Sequence, residues 1–313
     1  MSATYKVFID GSSGTTGLRI ADRLAARPEI QLLSISEEGR KDVQERAKVI
    51  NSADLAFLCL PDDAAREVMP LLRPDVKILD TSTAHRTSPG WVYGFPELAG
   101  QREKIRQSCR VAVPGCHASG FIALAAPLVQ KGLVPADYPF SCHSLTGYSG
   151  GGKKMIGQYR DPARPVDYDS PRAYALGLHH KHLPEMKAVC GLSAAPIFCP
   201  IVADYYSGMQ TSIPLRMELL KADPAAIAAA MEEYYQGEKV VTVHPLGDIP
   251  SDQFLAGNLL AGTDRMEIYL TASPDGSQML LISLFDNLGK GSSGAAVQCM
   301  NLMLGLEETA GLE

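Results

Sequence analysis

A glycine pattern at the start of the chain limits the possible folds more than any other feature. Tyr5-Lys6-Val7-Phe8-Ile9-Asp10 reads as a buried strand. Gly11-Ser12-Ser13-Gly14-Thr15-Thr16-Gly17 follows at once, and Leu18, Ala21, Leu24 and Ala25 then mark one face of a helix. Strand, glycine turn and helix in that order form a cradle for a phosphate. Glycine lets the main chain approach a pyrophosphate closely, and the helix start offers unpaired N–H groups at the positive end of its dipole. Ser12, Ser13, Thr15 and Thr16 add hydroxyls. The spacing differs by one residue from the commoner G-x-G-x-x-G, and a tight turn without a ligand would look the same. What favours nucleotide binding is the loop's position, at residue 11 of an alternating segment.

That alternation continues. Gln31 to Ser36 is a second strand candidate, and Asp54 to Leu60 is a continuous apolar run stopped by Pro61. Such runs suit strands covered on both faces, as in parallel sheets. Asp62 is the expected N-cap of a helix from Asp63 to Leu72. Val76 to Asp80 and Arg110 to Val113 supply further strands. The reading is α/β: a Rossmann-like doubly wound parallel sheet over residues 1–115. After about residue 137 the pattern changes. Ile213, Leu215, Met217 and Leu219 alternate with polar neighbours, as do Met266, Ile268 and Leu270. Asp275-Gly276 marks a hairpin turn before Gln278 to Leu284. Asp223 and Pro224 open a helix reaching Tyr235. Residues 116–291 are therefore expected to form an α+β substrate and dimerisation domain with a mixed sheet. A C-terminal helix, about 292–313, is expected to return to the first domain.

Charge and cysteine usage narrow the function classes. The chain has 313 residues and a net charge of −6, so no overall basic footprint for nucleic acid exists. No apolar run reaches the ~18 residues of a membrane span. Seven cysteines, an odd number, are scattered without a Cys-x-x-Cys pair, which suits reduced thiols in a cytoplasm. A small-molecule substrate is the expected partner, with a homo-oligomer formed through the mixed sheet.

The second-strand end bears on the choice of dinucleotide. Ser34-Ile35-Ser36-Glu37-Glu38-Gly39-Arg40-Lys41 offers Ser36, Arg40 and Lys41 to a 2′-phosphate, which favours NADP. Glu37 and Glu38 favour NAD if the strand runs longer.

Val113-Pro114-Gly115-Cys116 puts a thiol just after a strand and at the start of the apolar helix candidate Phe121 to Val129. Helix-start N–H groups favour a thiolate and can hold an oxyanion. A small buried cysteine is the bland alternative. Three of the seven histidines lie in His179-His180-Lys181-His182-Leu183-Pro184-Glu185. They allow a metal site, a polar loop, or a general acid-base group that meets Cys116 in space. No second cluster with metal-ligand spacing exists, so no metal is expected. Gly147-Tyr148-Ser149-Gly150-Gly151-Gly152-Lys153-Lys154 nearly matches a P-loop, but Lys154 replaces the Ser or Thr that binds Mg²⁺. A flexible loop with two cations over an anionic substrate is the expected use.

Together these pieces resemble the N-acetyl-gamma-glutamyl-phosphate reductase family, in the shorter of its two types, over nearly the whole chain. The motifs that carry the resemblance are Gly11 to Gly17, Pro114-Gly115-Cys116, His180-Lys181-His182-Leu183-Pro184-Glu185, and Asp286-Asn287-Leu288-Gly289-Lys290-Gly291-Ser292-Ser293-Gly294-Ala295-Ala296-Val297-Gln298. The resemblance implies a step of arginine biosynthesis. N-acetyl-glutamyl 5-phosphate becomes N-acetyl-glutamate 5-semialdehyde and phosphate, with NADP as cofactor and a cysteine thioester as intermediate. It implies Cys116 as nucleophile, His180 as acid-base residue and Asn287 at the nicotinamide carboxamide. His117 and His179 remain competing bases. Arg86, Lys153 and His182 are assigned to the substrate, with Lys154 and Arg172 as further cations. The rival readings are an acyl-phosphate reductase like aspartate-semialdehyde dehydrogenase and a dinucleotide-binding regulator without chemistry.

Overall fold

A computed structural model describes residues 4–313. The chain forms two compact units. One runs through Gly115 and adds Ser292–Leu312; the other is Cys116–Gly291 with Glu313.

The first unit holds strands β1 (Tyr5–Asp10), β2 (Ile30–Leu33), β3 (Leu55–Leu58), β4 (Lys77–Asp80), β5 (Val92–Tyr93) and β6 (Arg110–Ala112). Helices α1 (Thr15–Ala25), α2 (Val43–Ser52), α3 (Asp62–Val68) and α4 (Gln101–Gln107) lie between them. The strands pair in the order β2-β1-β3-β4-β6-β5, every pair parallel. Alternate residues enter two separate cores, which is why these strands are apolar on both sides. Val7, Ile9, Leu55 and Phe57 pack with Ile20 and Leu24 of α1. Phe8, Ala56 and Leu58 pack with Ala47 and Ile50 of α2 and Ala65 and Val68 of α3.

Three local expectations are corrected here. The second strand ends at Leu33 rather than Ser36, because Ser36 begins a turn: its Oγ accepts from Gly39 N at 3.1 Å and its carbonyl accepts from Arg40 N at 3.1 Å. Asp62 does not cap α3. It is the first helical residue, and its carboxylate accepts from Thr83 N at 3.0 Å and from the Thr83 hydroxyl. The same helix stops at Val68 and tightens to a 3₁₀ turn over Met69–Leu71, because Pro70 has no N–H to donate.

The second unit holds β7 (Ser141–Gly147), β8 (Arg172–Ala173), β9 (Ile197–Ala203), β10 (Met209–Arg216), β11 (Val241–Val243), β12 (Met266–Ala272) and β13 (Gln278–Phe285). Its helices are α5 (Cys116–Gln130), α6 (Gly152–Arg160), α7 (Leu183–Cys190) and α8 (Pro224–Tyr234). The sheet order is β11-β12-β13-β10-β7-β9-β8. β7 with β9 and β11 with β12 are parallel, and the other pairs are antiparallel, so the sheet is mixed. The β12–β13 hairpin turns at Gly276, whose φ is 69°. Asp223 caps α8 by accepting from Ala226 N at 2.7 Å. The alternation expected to Leu219 ends at Arg216, because Met217 N turns to Ser277 O at 3.0 Å and Met217–Leu219 coils into a 3₁₀ turn. Helix α5 packs on β10 and β13 and touches α7 and α8.

The chain then enters α9 (Gly294–Leu304), all of it buried and packed into the first unit's core. The helix ends well before residue 313, because Gly305 takes φ 70°. The remaining tail is tied down by Arg27, which donates to Asn301 Oδ1 at 2.7 Å and to Ala310 O at 3.0 Å. No helix among the described residues is long and apolar enough to cross a membrane.

The end of β1 is set by a buried ion pair. Arg46 of α2 donates to both oxygens of Asp10, with a shortest contact of 2.6 Å, and also to Ala64 O at 3.1 Å. Removing one partner of a buried pair strands the other charge and costs about 3–5 kcal/mol. Arg46→Ala is therefore expected to lower the unfolding free energy by about that amount. Urea denaturation followed by circular dichroism measures it, and a change below about 1 kcal/mol would contradict the assignment.

Candidate active site

In the first unit, the glycine loop has the geometry of a phosphate cradle. Gly11 takes φ 92°, and a Cβ there would lie 2.7 Å from Cys59 O. A Cβ on Gly17 would strike Gly11 O and lie 3.0 Å from Ser12 Cα. Gly14 N donates back to Gly11 O at 3.0 Å, and α1 begins at Thr15 with no side chain capping its first turn. The helix-start N–H groups therefore remain for a ligand, and the residues present fit a dinucleotide's pyrophosphate. Thr16 Oγ1 lies 3.2 Å from Ser292 Oγ, which ties the loop to the segment that returns from the far end of the chain. Ser36 and Arg40 lie beyond the end of β2, both exposed.

Arg86 follows β4, as the sequence suggested, but much of its guanidinium holds the main chain. Its Nε donates to Val113 O at 3.0 Å and its Nη2 to Thr81 O at 3.2 Å. Close by, Asp80 Oδ2 is 2.6 Å from His85 Nδ1, and His85 stacks on Trp91 with ring centres 4.2 Å apart.

In the second unit, Cys116 is the first residue of α5 and is half-buried. Other thiols are kept inert: burial pushes Cys59 up to about 12 and also pushes Cys142 and Cys190 upward. Beside Cys116 lies the loop after β13. A Cβ on Gly291 would be 3.0 Å from Cys116 Cβ and 3.1 Å from Asp286 O, so only glycine passes there without displacing a neighbour. Asp286 braces that loop. Its Oδ2 accepts from Gly262 N at 2.7 Å, and its Oδ1 accepts from Leu288 N at 2.9 Å. Asn287 is buried. Its Oδ1 accepts from Gly208 N at 2.8 Å and its Nδ2 donates to Ser149 Oγ at 3.0 Å. One amide hydrogen and one lone pair are not used by these two bonds.

The histidines converge as one cluster. His117, His180 and His182 have ring centres 5.7 Å (117–180), 5.8 Å (117–182) and 4.7 Å (180–182) apart, and Phe198 borders the first two. His182 N donates to His180 Nδ1 at 3.2 Å, so Nε2 carries the hydrogen in the neutral ring of His180. His182 itself is buried at the start of α7. His179 is exposed. His117 is not a competing base. Its Nδ1 is 2.7 Å from Ser144 Oγ and its Nε2 is 2.6 Å from Tyr174 OH. Burial, aided by His180 and Lys181, pushes its pKa down to about 3. The Tyr174 phenol is pushed upward by burial and by Cys116, and stays protonated. Tyr174 and Ser144 carry no motif and were invisible to pattern reading, whereas Gly291 lies within the Asp286–Gln298 motif but was given no role there.

The near-P-loop is not a free phosphate loop, and its start is not flexible. Gly147 N, Tyr148 N and Ser149 N donate to Gly208 O, Tyr205 O and Tyr206 O at 2.9–3.0 Å, so these three main-chain donors are spent. Lys153 and Lys154 are exposed on the first turn of α6. Arg172 lies 3.5 Å over the Tyr168 ring and donates to Tyr159 OH at 2.9 Å. Among the described residues no cluster of three or more His, Cys, Asp or Glu side chains could hold a metal.

Comparison with known proteins adds a family. The semialdehyde dehydrogenase NAD binding domain matches residues 6–108, and the semialdehyde dehydrogenase dimerisation domain matches residues 116–287. N-acetyl-gamma-glutamyl-phosphate reductase 2 of Pseudomonas putida is 48% identical over 98% of this chain and 99% of its own. The protein of the same name from Nostoc is 46% identical with the same coverage. N-acetyl-gamma-glutamyl-phosphate reductase of Brucella ovis is 46% identical over 96% of this chain and 99% of its own. Among solved structures, aspartate semialdehyde dehydrogenase of Francisella tularensis shares the fold with a TM-score of 0.70 at 13% identity, over 96% of this chain and 100% of that one. The Candida albicans enzyme, solved with NADP, has a TM-score of 0.64 at 14% identity over 96% and 99% of the two chains.

The depressed pKa of His117 sets a pH dependence of stability. The unfolded chain takes up a proton near pH 6.5 that the folded chain refuses until about pH 3. Between those values the unfolded state binds more protons, so this contribution to stability is full above pH 6.5 and falls as pH drops. The slope is about 1.4 kcal/mol per pH unit. His117→Phe is expected to flatten the wild-type decline between pH 6.5 and 5 by about that slope in urea titrations. Parallel profiles would refute the buried neutral state.

Proposed function

The chain belongs to the semialdehyde dehydrogenase family, in its N-acetyl-gamma-glutamyl-phosphate reductase branch, and from that membership we propose the reaction and the residues that perform it. The protein is an oxidoreductase that converts N-acetyl-L-glutamyl 5-phosphate to N-acetyl-L-glutamate 5-semialdehyde and phosphate, as a step of arginine biosynthesis. The observation that carries this is the 48% identity to a reductase of that name across almost the full length of both chains. The rival with aspartyl substrate shares the fold at only 13–18% identity.

The chemistry follows from the residues. Cys116 attacks the acyl phosphate carbonyl as a thiolate, and phosphate leaves as a thioester forms on Cys116. The first-turn N–H groups of α5 face the developing oxyanion. NADPH, when bound, supplies the hydride that reduces the acyl carbon. Hydride addition leaves a thio-hemiacetal oxyanion on Cys116, to which His180, the proposed acid-base residue, donates a hydrogen bond through its Nε2–H. Collapse of that oxyanion expels the thiolate and frees the aldehyde, and the hydrogen stays on His180. A thioester suits this sequence because it accepts hydride more readily than an oxygen ester, which explains cysteine over serine. Asn287 is placed at the nicotinamide carboxamide through its remaining amide hydrogen. Arg86, Lys153 and His182 are assigned to the substrate's anionic groups.

NADP is the proposed cofactor. Supporting it is the early end of β2 at Leu33, which leaves Ser36 and Arg40 on the loop beyond the strand and does not extend the strand to Glu37 and Glu38. A homo-oligomer through the dimerisation domain is the proposed assembly.

Phosphate-dependent NADPH formation from the semialdehyde, read at 340 nm, is the test. Cys116→Ser is expected to lose at least about 10³-fold in kcat while its NADP affinity stays within a factor of two. Full turnover in Cys116→Ser, or equal turnover with aspartate semialdehyde, would overturn the assignment.

A further inference from the structure

Behind the nucleophile, the sheet carries hydroxyls where a core usually carries carbon. Ser144 on β7, Thr211 on β10 and Ser283 on β13 stand side by side in register, and all three are fully buried. Each engages the first turns of α5 or its neighbour in the row. Ser144 Oγ is 2.9 Å from Thr211 Oγ1. Ser283 Oγ donates to Gly120 O at 3.3 Å. A Cβ on Gly120 would strike the Thr211 side chain, so helix and sheet touch with nothing between them. His117, next in sequence to Cys116, closes the row with its Nδ1 2.7 Å from Ser144 Oγ. Its other nitrogen reaches Tyr174 OH at 2.6 Å.

We propose that His117 is a positioning residue of the reaction: anchored to the hydroxyl row through one nitrogen, it holds the Tyr174 phenol in place through the other and forms the wall on which His180 and His182 pack. Imidazole suits the task because it presents polar atoms on two opposite edges of one flat ring. A neutral ring donates at one nitrogen and accepts at the other, so the hydroxyl row behind it decides which hydrogen faces Tyr174. The link carries no net charge, and a charge here would sit in the wall of the thiol site. Ala175 and Leu178, at φ 52° and 54°, show that the segment between Tyr174 and His180 holds an unfavourable backbone shape, which surrounding contacts must maintain. His117 is one such contact, at the end of the segment where Tyr174 stands. The inference rests on Cys116 as the nucleophile.

Amide side chains separate the two edges of the ring. Asn places its polar atoms where His has Nδ1, and Gln where His has Nε2. His117→Phe is expected to lower kcat by about tenfold to a hundredfold while KM for NADPH stays within a factor of two. His117→Gln, which can still meet Tyr174, is expected to recover most of that loss, and His117→Asn is not. Tyr174→Phe is expected to reproduce the His117→Phe loss, and the double variant to fall no further than either single one. Thermal unfolding and NADP binding on each variant confirm a folded chain. Wild-type kcat in His117→Phe, equal losses in Asn and Gln, or losses that multiply in the double variant would each overturn the proposal. Tyr174→Phe removes only one oxygen, and it decides alone if His117→Phe does not fold: unchanged kcat would refute the proposal. Failure of the Cys116 assignment would appear separately, as turnover in Cys116→Ser.

Discussion

The contact between α5 and the sheet of the second unit governs everything built above it. A helix lies this close to a strand only where it has no side chain, and at Gly120 the Thr211 side chain occupies the space a Cβ would need. Direct contact at that level sets the height and rotation of the helix's first turn. Cys116 and His117 are in that turn, so the thiol's position is decided by packing underneath it. Gly291 does the same from beside, where a Cβ would lie 3.0 Å from the thiol's β-carbon. The Cys116 thiol is thus held by two close approaches that require the absence of a side chain.

The first unit solves a similar problem with charge. Its phosphate cradle needs the end of β1 to be stationary while the next residues turn through left-handed geometry at Gly11. The Asp10–Arg46 pair supplies that, because a buried bidentate pair tolerates little displacement. The same arginine reaches Ala64 O, so α2, the end of β1 and the start of α3 are joined at one guanidinium. In both units the candidate site lies on the first turn of a helix, and the fold's effort goes into holding that turn still.

Much of this was legible beforehand, and the misses have physical causes. The glycine loop, the two-sided apolar strands and the Asp223 cap were readable because each depends on residues close in sequence. Asp62 misled because its carboxylate serves Thr83, which is distant in sequence. The Gly147–Lys154 segment misled because its glycines suit a flexible loop, yet the N–H groups of residues 147–149 pair with residues 205–208. Thr211 shares the buried face of β10 with Ile213 and Leu215, and a polar residue at that register was the available clue to the hydroxyl row.

By itself the sequence determined a dinucleotide-type first half, a mixed-sheet second half and a thiol at a helix start. Hydrophobic period, glycine placement and capping act over a few residues, so they are written in neighbouring positions. Only the tertiary structure decided which histidine stays neutral, which asparagine atoms are spent and what stands behind the thiol. Those outcomes depend on burial and on partners such as Ser144 and Tyr174, 27 and 57 residues away from His117 in the chain. Desolvation and hydrogen bonding at a site are properties of what surrounds it, and that surrounding exists only once the sheet has assembled.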